Sequence, residues 1–299
     1  MTDPVKKPAV AVLHPGSMGA AVAACAQQKA GTVLWCADKR SPATVARAER
    51  FGLMAVATLP ELLDRADVLV SLCPPAVAED VARQVAEHGF SGLYVEANAI
   101  SPERVQRIAD VLSSAEAVVD AAVVGSPPVG GKTPTLYVSG PPKATGRVEA
   151  LFAGTAVLTH VLGSELGQAS ALKLSYTSFQ KTSRLLAALS VGIAREHGVD
   201  QELITIASRR TDSYLSEPQY IPKVAARAWR WSPELEEAAD MLAAAGIPSD
   251  VLRAAASTLE RWHASKDDPA LTLESALTQL AAARITPAPP PSVAPEPVE

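Results

Sequence analysis

From Pro8 to about Leu162 the chain repeats one unit: a short apolar run, a turn, then a helical stretch. Ala9–Leu13 (AVAVL), Thr32–Cys36 (TVLWC), Val68–Leu72 (VLVSL) and Leu93–Glu96 (LYVE) lack the polar alternation of a strand with one wet face. Runs of this kind belong to parallel strands covered by helices on both sides. Further strands are expected at Val118–Val124, Thr135–Ser139 and Val157–Leu162. Between them, Ala20–Ala30 reads as a helix stopped by Gly31, and Ser41-Pro42 and Ser101-Pro102 read as helix openings, with serine at the N-cap and proline in the first turn. The alternation predicts an α/β fold built on a doubly wound sheet.

After Gly163 the pattern changes. Gln168–Val191 contains neither glycine nor proline before Gly192, and its apolar residues spread over several faces, which predicts a long, partly enclosed helix. More helices follow, and the chain ends in the proline-rich run TPAPPPSVAPEPVE. The expected organisation is an α/β domain over 1–163, a helical domain over 164–285, and a disordered tail over 286–299. At 299 residues the chain is long enough for two cores, and its net charge of −5 provides no overall attraction to nucleic acid or anionic membranes. No uninterrupted apolar run reaches the ~18–20 residues needed to span a bilayer, and nothing at the start reads as a signal peptide, so a cytoplasmic location is expected. Cys25, Cys36 and Cys73 are odd in number and far apart, and the five histidines are scattered, so neither disulfides nor a metal site is expected.

The first strand runs into His14-Pro15-Gly16-Ser17-Met18-Gly19, a G-x-G-x-x-G turn with histidine at the first glycine. Gly16 permits close approach of a pyrophosphate, Gly19 permits close helix–strand packing, and the helix start offers N–H groups and a positive dipole end. Asp38 follows Gly19 by 19 residues, near the ~20-residue spacing of a ribose-binding carboxylate. Lys39, Arg40 and Ser41, with Thr44 and Arg47 beyond, supply the cations and hydroxyls that a 2′-phosphate needs, which favours NADP(H) over NAD(H). Cys73, Pro74 and Pro75 leave another strand and would wall the same groove. Asn98 ends the next, either to hydrogen-bond the nicotinamide region or as turn chemistry.

These segments, with DAAVVGSPPVGGKTPTLYVSG and ELGQASALKLSYTSFQK, resemble the β-hydroxyacid dehydrogenase superfamily, which includes 6-phosphogluconate and 3-hydroxyisobutyrate dehydrogenases. The resemblance spans about Val10 to Ile285 and implies a Rossmann domain joined through one long helix to a helical domain that forms a homodimer. It places a substrate-holding stretch at Val124, Gly125 and Ser126, where valine stands at the family's serine position. In the lysine motif of the long helix only Gly167 and Lys173 match. Thr177 replaces asparagine, four residues after Lys173 and on the same helix face, and Tyr176 lies beside it. The resemblance implies hydride transfer between nicotinamide C4 and a small hydroxy or keto substrate, with Lys173 as general acid and base. Two alternatives stand beside it: reduction of a C=N bond, as in the related imine reductases, and a non-catalytic NADP-binding regulator.

Overall fold

The computed structural model describes residues 7–209, 214, 217–244, 246 and 248–282; the expected proline-rich tail lies outside them. Eight strands form one sheet: β1 (Ala9–Val12), β2 (Thr32–Cys36), β3 (Met54–Val56), β4 (Val68–Ser71), β5 (Leu93–Glu96), β6 (Ala117–Val124), β7 (Thr135–Ser139) and β8 (Leu158–Gly163). Their order is β3-β2-β1-β4-β5-β6-β7-β8. The first six are parallel, β6 pairs with β7 antiparallel, and β7 pairs with β8 parallel. This is the Rossmann order with two strands added. Among the described residues every regular element after Gly163 is helical.

Six helices connect the strands: α1 (Ser17–Ala26), α2 (Pro42–Arg50), α3 (Leu59–Arg65), α4 (Ala78–Glu87), α5 (Pro102–Val111) and α6 (Pro142–Phe152). Side-chain alternation along the strands divides the core in two. Val10, Val12, Trp35, Val70, Val95 and Val119 pack on the face that carries α1 and α6, while Ala11, Leu34, Leu69, Tyr94 and Val118 pack on the face of α4 and α5. Ser41 and Ser101 cap their helices as expected, their hydroxyls accepting from the N–H groups of Thr44 and Arg104. Two expectations shift. The first helix ends at Ala26, and Gly31 is no C-cap: its N–H donates to the Pro8 carbonyl as the chain approaches β2. The edge strand β3 was not expected, because three residues with Met54 exposed are too short to show a pattern.

The helical part opens with α7 (Gln168–Glu196), 29 residues long, followed by α8 (Asp200–Ser208), α9 (Ile221–Ala225), α10 (Ala228–Ala244), α11 (Asp250–Leu259) and α12 (Leu273–Ala282). Two compact units result: Met1–Lys181 with Arg230–Ala256, and Thr182–Trp229 with Ser257–Glu299. The first holds the sheet, the start of α7 and most of α10. Within the second, Arg184 stacks on the rings of Tyr214 and Tyr220, and the Trp262 indole donates to the Ala276 carbonyl. No described helix is long and apolar enough to cross a membrane.

Candidate active site

Because β1, β4, β5 and β6 are parallel neighbours, their C-terminal ends line one edge of the sheet. The strand order reverses between β1 and β4, the position where open α/β sheets bind ligands. His14–Gly19, Cys73–Pro75, Asn98 and Val124–Ser126 all leave strands along this edge.

The two glycines of the first turn differ. A Cβ on Gly19 would lie 2.5 Å from the His14 carbonyl oxygen, so this position must stay bare for α1 to approach β1. At Gly16 nothing lies within 4 Å, and its φ of −65° is open to any residue, so the fold itself makes no demand for glycine there. No side chain caps α1, and its first turn carries no acid. Pro15 accepts a hydrogen bond from Arg47 (3.3 Å), and Leu13 accepts one from Arg40 (3.4 Å), so two guanidinium groups lie against the turn. Burial and the Arg40 charge lower the His14 imidazole to about 4, so it is neutral at physiological pH. An open glycine, uncapped N–H groups and two arginines fit the phosphates of a dinucleotide. Ser17 and Met18 begin α1.

Asp38 and Lys39 are exposed and face one another at 3.9 Å, Lys39 with a φ of 54°. Ser41 is engaged as the α2 cap. Asn98 is buried: its carbonyl oxygen accepts from the Cys73 N–H (2.6 Å), its amide donates to Ser71 Oγ (3.1 Å), and its own N–H donates to Glu96 (2.9 Å). It ties the β4 and β5 exits together. Pro74 leads into a short 3-10 turn at Pro75–Val77, where the Pro75 carbonyl accepts from Arg104. Burial first, then the Glu96 charge, pushes the Cys73 thiol up to about 12, so it is no nucleophile.

Lys173 comes to this edge from α7. Its ammonium donates to the Val123 carbonyl at the end of β6 (2.9 Å), beside Val124, Gly125 and Ser126. Burial, then the Arg230 charge, lowers it to about 8. Asp120, also on β6, accepts from the backbone N–H (2.9 Å) and the hydroxyl (2.6 Å) of Ser170 in the first turn of α7. Three residues further along both elements, the Val123–Lys173 bond repeats the connection. Gly167, just before α7, has no room for a Cβ, which would lie 2.7 Å from Pro102. The helix start is therefore seated against β6 and α5. Gly125 adopts a φ of 121° facing Pro134, and Ser126 is exposed.

Thr177 shares the Lys173 face, but its hydroxyl donates back to the Lys173 carbonyl (2.9 Å), the usual habit of a helical threonine. Tyr176 is 45% exposed and lies with Leu172 and Phe179 instead. The same face continues to Lys181, which sequence reasoning overlooked. Lys181 is buried, pairs with Glu234 on α10, and lies 5.7 Å from the Trp231 ring centre. Burial, Lys173 and Arg230 press its amine towards neutrality, and the Glu234 contact opposes them. One turn on, Glu237 pairs with Arg104 and accepts from the Ser101 N–H, fastening α10 to the start of α5. The sequence did carry a signal for this face, in the spacing Lys-x3-Thr-x3-Lys along α7. No group of three or more His, Cys, Asp or Glu among the described residues could hold a metal.

Comparison with solved structures gives the arrangement a context. A 3-hydroxyisobutyrate dehydrogenase of Mycobacterium tuberculosis, solved with L-serine, superposes with a TM-score of 0.71 at 18% identity over 92% of this chain and 99% of that one. The chain shares the fold of that protein. A 3-hydroxyisobutyrate dehydrogenase of Salmonella typhimurium agrees, with a TM-score of 0.70 at 19% identity over 91% of this chain and 99% of that one. A reductive aminase of Aspergillus terreus, in complex with NADPH and ethyl-5-oxohexanoate, follows at 0.56 and 16% identity over 90% of this chain and 98% of that one. Residues 194–262 match a family described as a domain of unknown function (DUF1932). An uncharacterized 28.5 kDa protein of Methanothermus fervidus is 27% identical over 171 residues, 57% of this chain. That match spans 65% of the relative's length.

Proposed function

We propose that the chain is an NADP(H)-dependent oxidoreductase acting on a small hydroxy or keto acid, with Lys173 as the general acid and base. The observation that carries this reading is the Lys173 amine, lowered to about 8 and fixed on the Val123 carbonyl at the edge where the β1 turn also ends. An amine that titrates near neutrality exchanges a proton at little cost in either direction. The residues that would hold the cofactor are Gly16, Ser17, Met18 and Gly19 at its phosphates, and Arg40 and Arg47 at a 2′-phosphate. The bound nicotinamide would supply the hydride. In reduction, Lys173 Nζ gives its proton to the substrate oxygen; in oxidation, the neutral amine removes the hydroxyl proton. Asp120 and Val123 hold the lysine in place, and the packed Lys181–Glu234 pair closes that end of the helix face to water.

Reduction of a C=N bond is the second reading, favoured by Val124 at the serine position and by Thr177, whose hydroxyl is spent on its own helix. Charge favours the acid. The Arg230 guanidinium acts electrostatically on Lys173, and both act on Lys181, whose amine pairs with Glu234. The protonated Lys173 amine attracts a substrate carboxylate and repels an iminium ion. Turnover of 3-keto acids and of cyclic imines, each with NADPH and NADH, tests both readings. Keto acids reduced with NADPH are the expected result, with the NADPH preference lost in Arg40→Ala. Reduction of imines alone contradicts the acid reading.

The helical part is proposed to bring two copies together. Leu172, Tyr176, Phe179 and Leu186 are exposed at three- and four-residue steps or whole turns along α7, an apolar stripe that a second copy would cover. On this reading residues 1–163 bind the cofactor and 164–285 complete the substrate site and the homodimer.

A further inference from the structure

Four polar side chains lie in one row across the sheet. Ser71 on β4 is the register partner of Glu96 on β5, Glu96 that of Asp120 on β6, and Asp120 that of Ser139 on β7. Partners in register project from the same face, here the face of Tyr94 and Val118, and all four are 0% exposed. Adjacent strands lie about 4.8 Å apart, so the row holds two carboxyl groups side by side and shielded from bulk solvent. Two such groups cannot both be charged cheaply.

The hydrogen bonds decide which one keeps its charge. Burial raises the Asp120 carboxyl, but hydrogen bonds from the Ser170 N–H, the Ser170 hydroxyl and the Ser139 hydroxyl (3.2 Å) oppose that rise, and the carboxyl lies at the positive end of α7. Glu96 accepts from the Asn98 N–H through one oxygen, and its Oε2 is buried with no hydrogen-bond partner among the described residues. Around Glu96 stand Tyr94 on its own strand, Ser71 and Cys73 from β4 and its exit, Asn98 above, and Asp120 on β6. The cation that acts on it, Arg104 of α5, is already bonded to Glu79 and Glu237.

We propose that Glu96 is a positioning residue for Lys173: held as the neutral acid, it lets Asp120 remain the anion that seats the first turn of α7. Asp120–Ser170 and Val123–Lys173 are successive stitches between β6 and α7, so loosening the first moves the second. Burial pushes the Glu96 carboxyl up to about 8, so its proton leaves in the same range as that of Lys173. The sign follows. The folded protein holds a proton on Glu96 that the unfolded chain releases near the ordinary carboxylate range, so stability falls as pH rises from about 4.5 to about 8 and is level for this group above it.

The role given to Lys173 rests on the reading above, whereas the proton on Glu96 does not, and two measurements separate them. The first needs no substrate: infrared difference spectra of the wild-type chain between pH 6 and pH 9, with thermal unfolding at each pH. The expected result is a protonated-carboxyl carbonyl band that is present at pH 6, lost by pH 9 and missing from Glu96→Gln, together with a fall in unfolding temperature over this range that Glu96→Gln flattens. A wild-type protein without that band overturns the proposal, even if the variant does not fold. The second is the alkaline limb of kcat, which should be steeper than one proton in the wild type and reduce to one proton in Glu96→Gln, with KM little changed. A limb of equal steepness in both proteins sinks the link to Lys173 while leaving Lys173 chemistry intact. No turnover on any substrate sinks the proposed function and leaves the infrared result to decide on Glu96.

Discussion

At the residue scale, Gly16 and Gly19 separate what the fold needs from what a ligand needs. Gly19→Ala forces a Cβ into the His14 carbonyl, and a backbone group cannot give way cheaply. A loss of about 1–3 kcal/mol is expected in chemical unfolding. Gly16→Ala meets open space, so the unfolding midpoint should stay where it is while NADPH affinity, measured by fluorescence titration, falls at least tenfold. Unchanged affinity would remove this turn from the cofactor site. The turn was legible in the sequence because its geometry is local: six consecutive residues between a strand and a helix fix it. The surroundings of Asn98 were not, since its partners Ser71 and Cys73 lie 27 and 25 residues away and meet it only across the sheet.

At the element scale, α7 matters through how it is held. Its length follows from the absence of glycine and proline, and the expected start at Gln168 agrees with the structure. Its observed end, Glu196, lies past the Val191 expected. What the sequence did not reveal is the counter-ion of Lys181, because Glu234 is 53 residues further on and only packing brings the two together. A buried pair broken on one side leaves a stranded charge. Lys181→Met should therefore cost about 3–5 kcal/mol in urea unfolding, whereas Lys181→Met with Glu234→Leu recovers much of the loss. If the double variant is no more stable than the single, Glu234 has no role as the counter-ion. The fold class was legible for the opposite reason: uninterrupted apolar strands are a short-range signal, and they misled only at the edge, where three-residue β3 carries no pattern.

At the scale of the whole molecule, the apolar stripe on α7 sets the expected assembly. Phe179 is 70% exposed, unusual for so large an apolar side chain. Phe179→Asp should convert a dimer to a monomer in size-exclusion chromatography with light scattering; a wild-type chain that is already monomeric would contradict the assembly. The catalytic assignment is tested more directly by the pH dependence of NADPH-linked keto-acid reduction in the wild type and in Lys173→Ala, with NADPH affinity measured alongside. In the wild type, kcat should be level at acid pH and fall through about pH 8 as the amine loses its proton. The variant should retain NADPH affinity, lose the step contributed by the amine, and turn over ~10²–10⁴-fold more slowly. Turnover within a few-fold of wild type, with the same pH profile, would show that the proton comes from elsewhere.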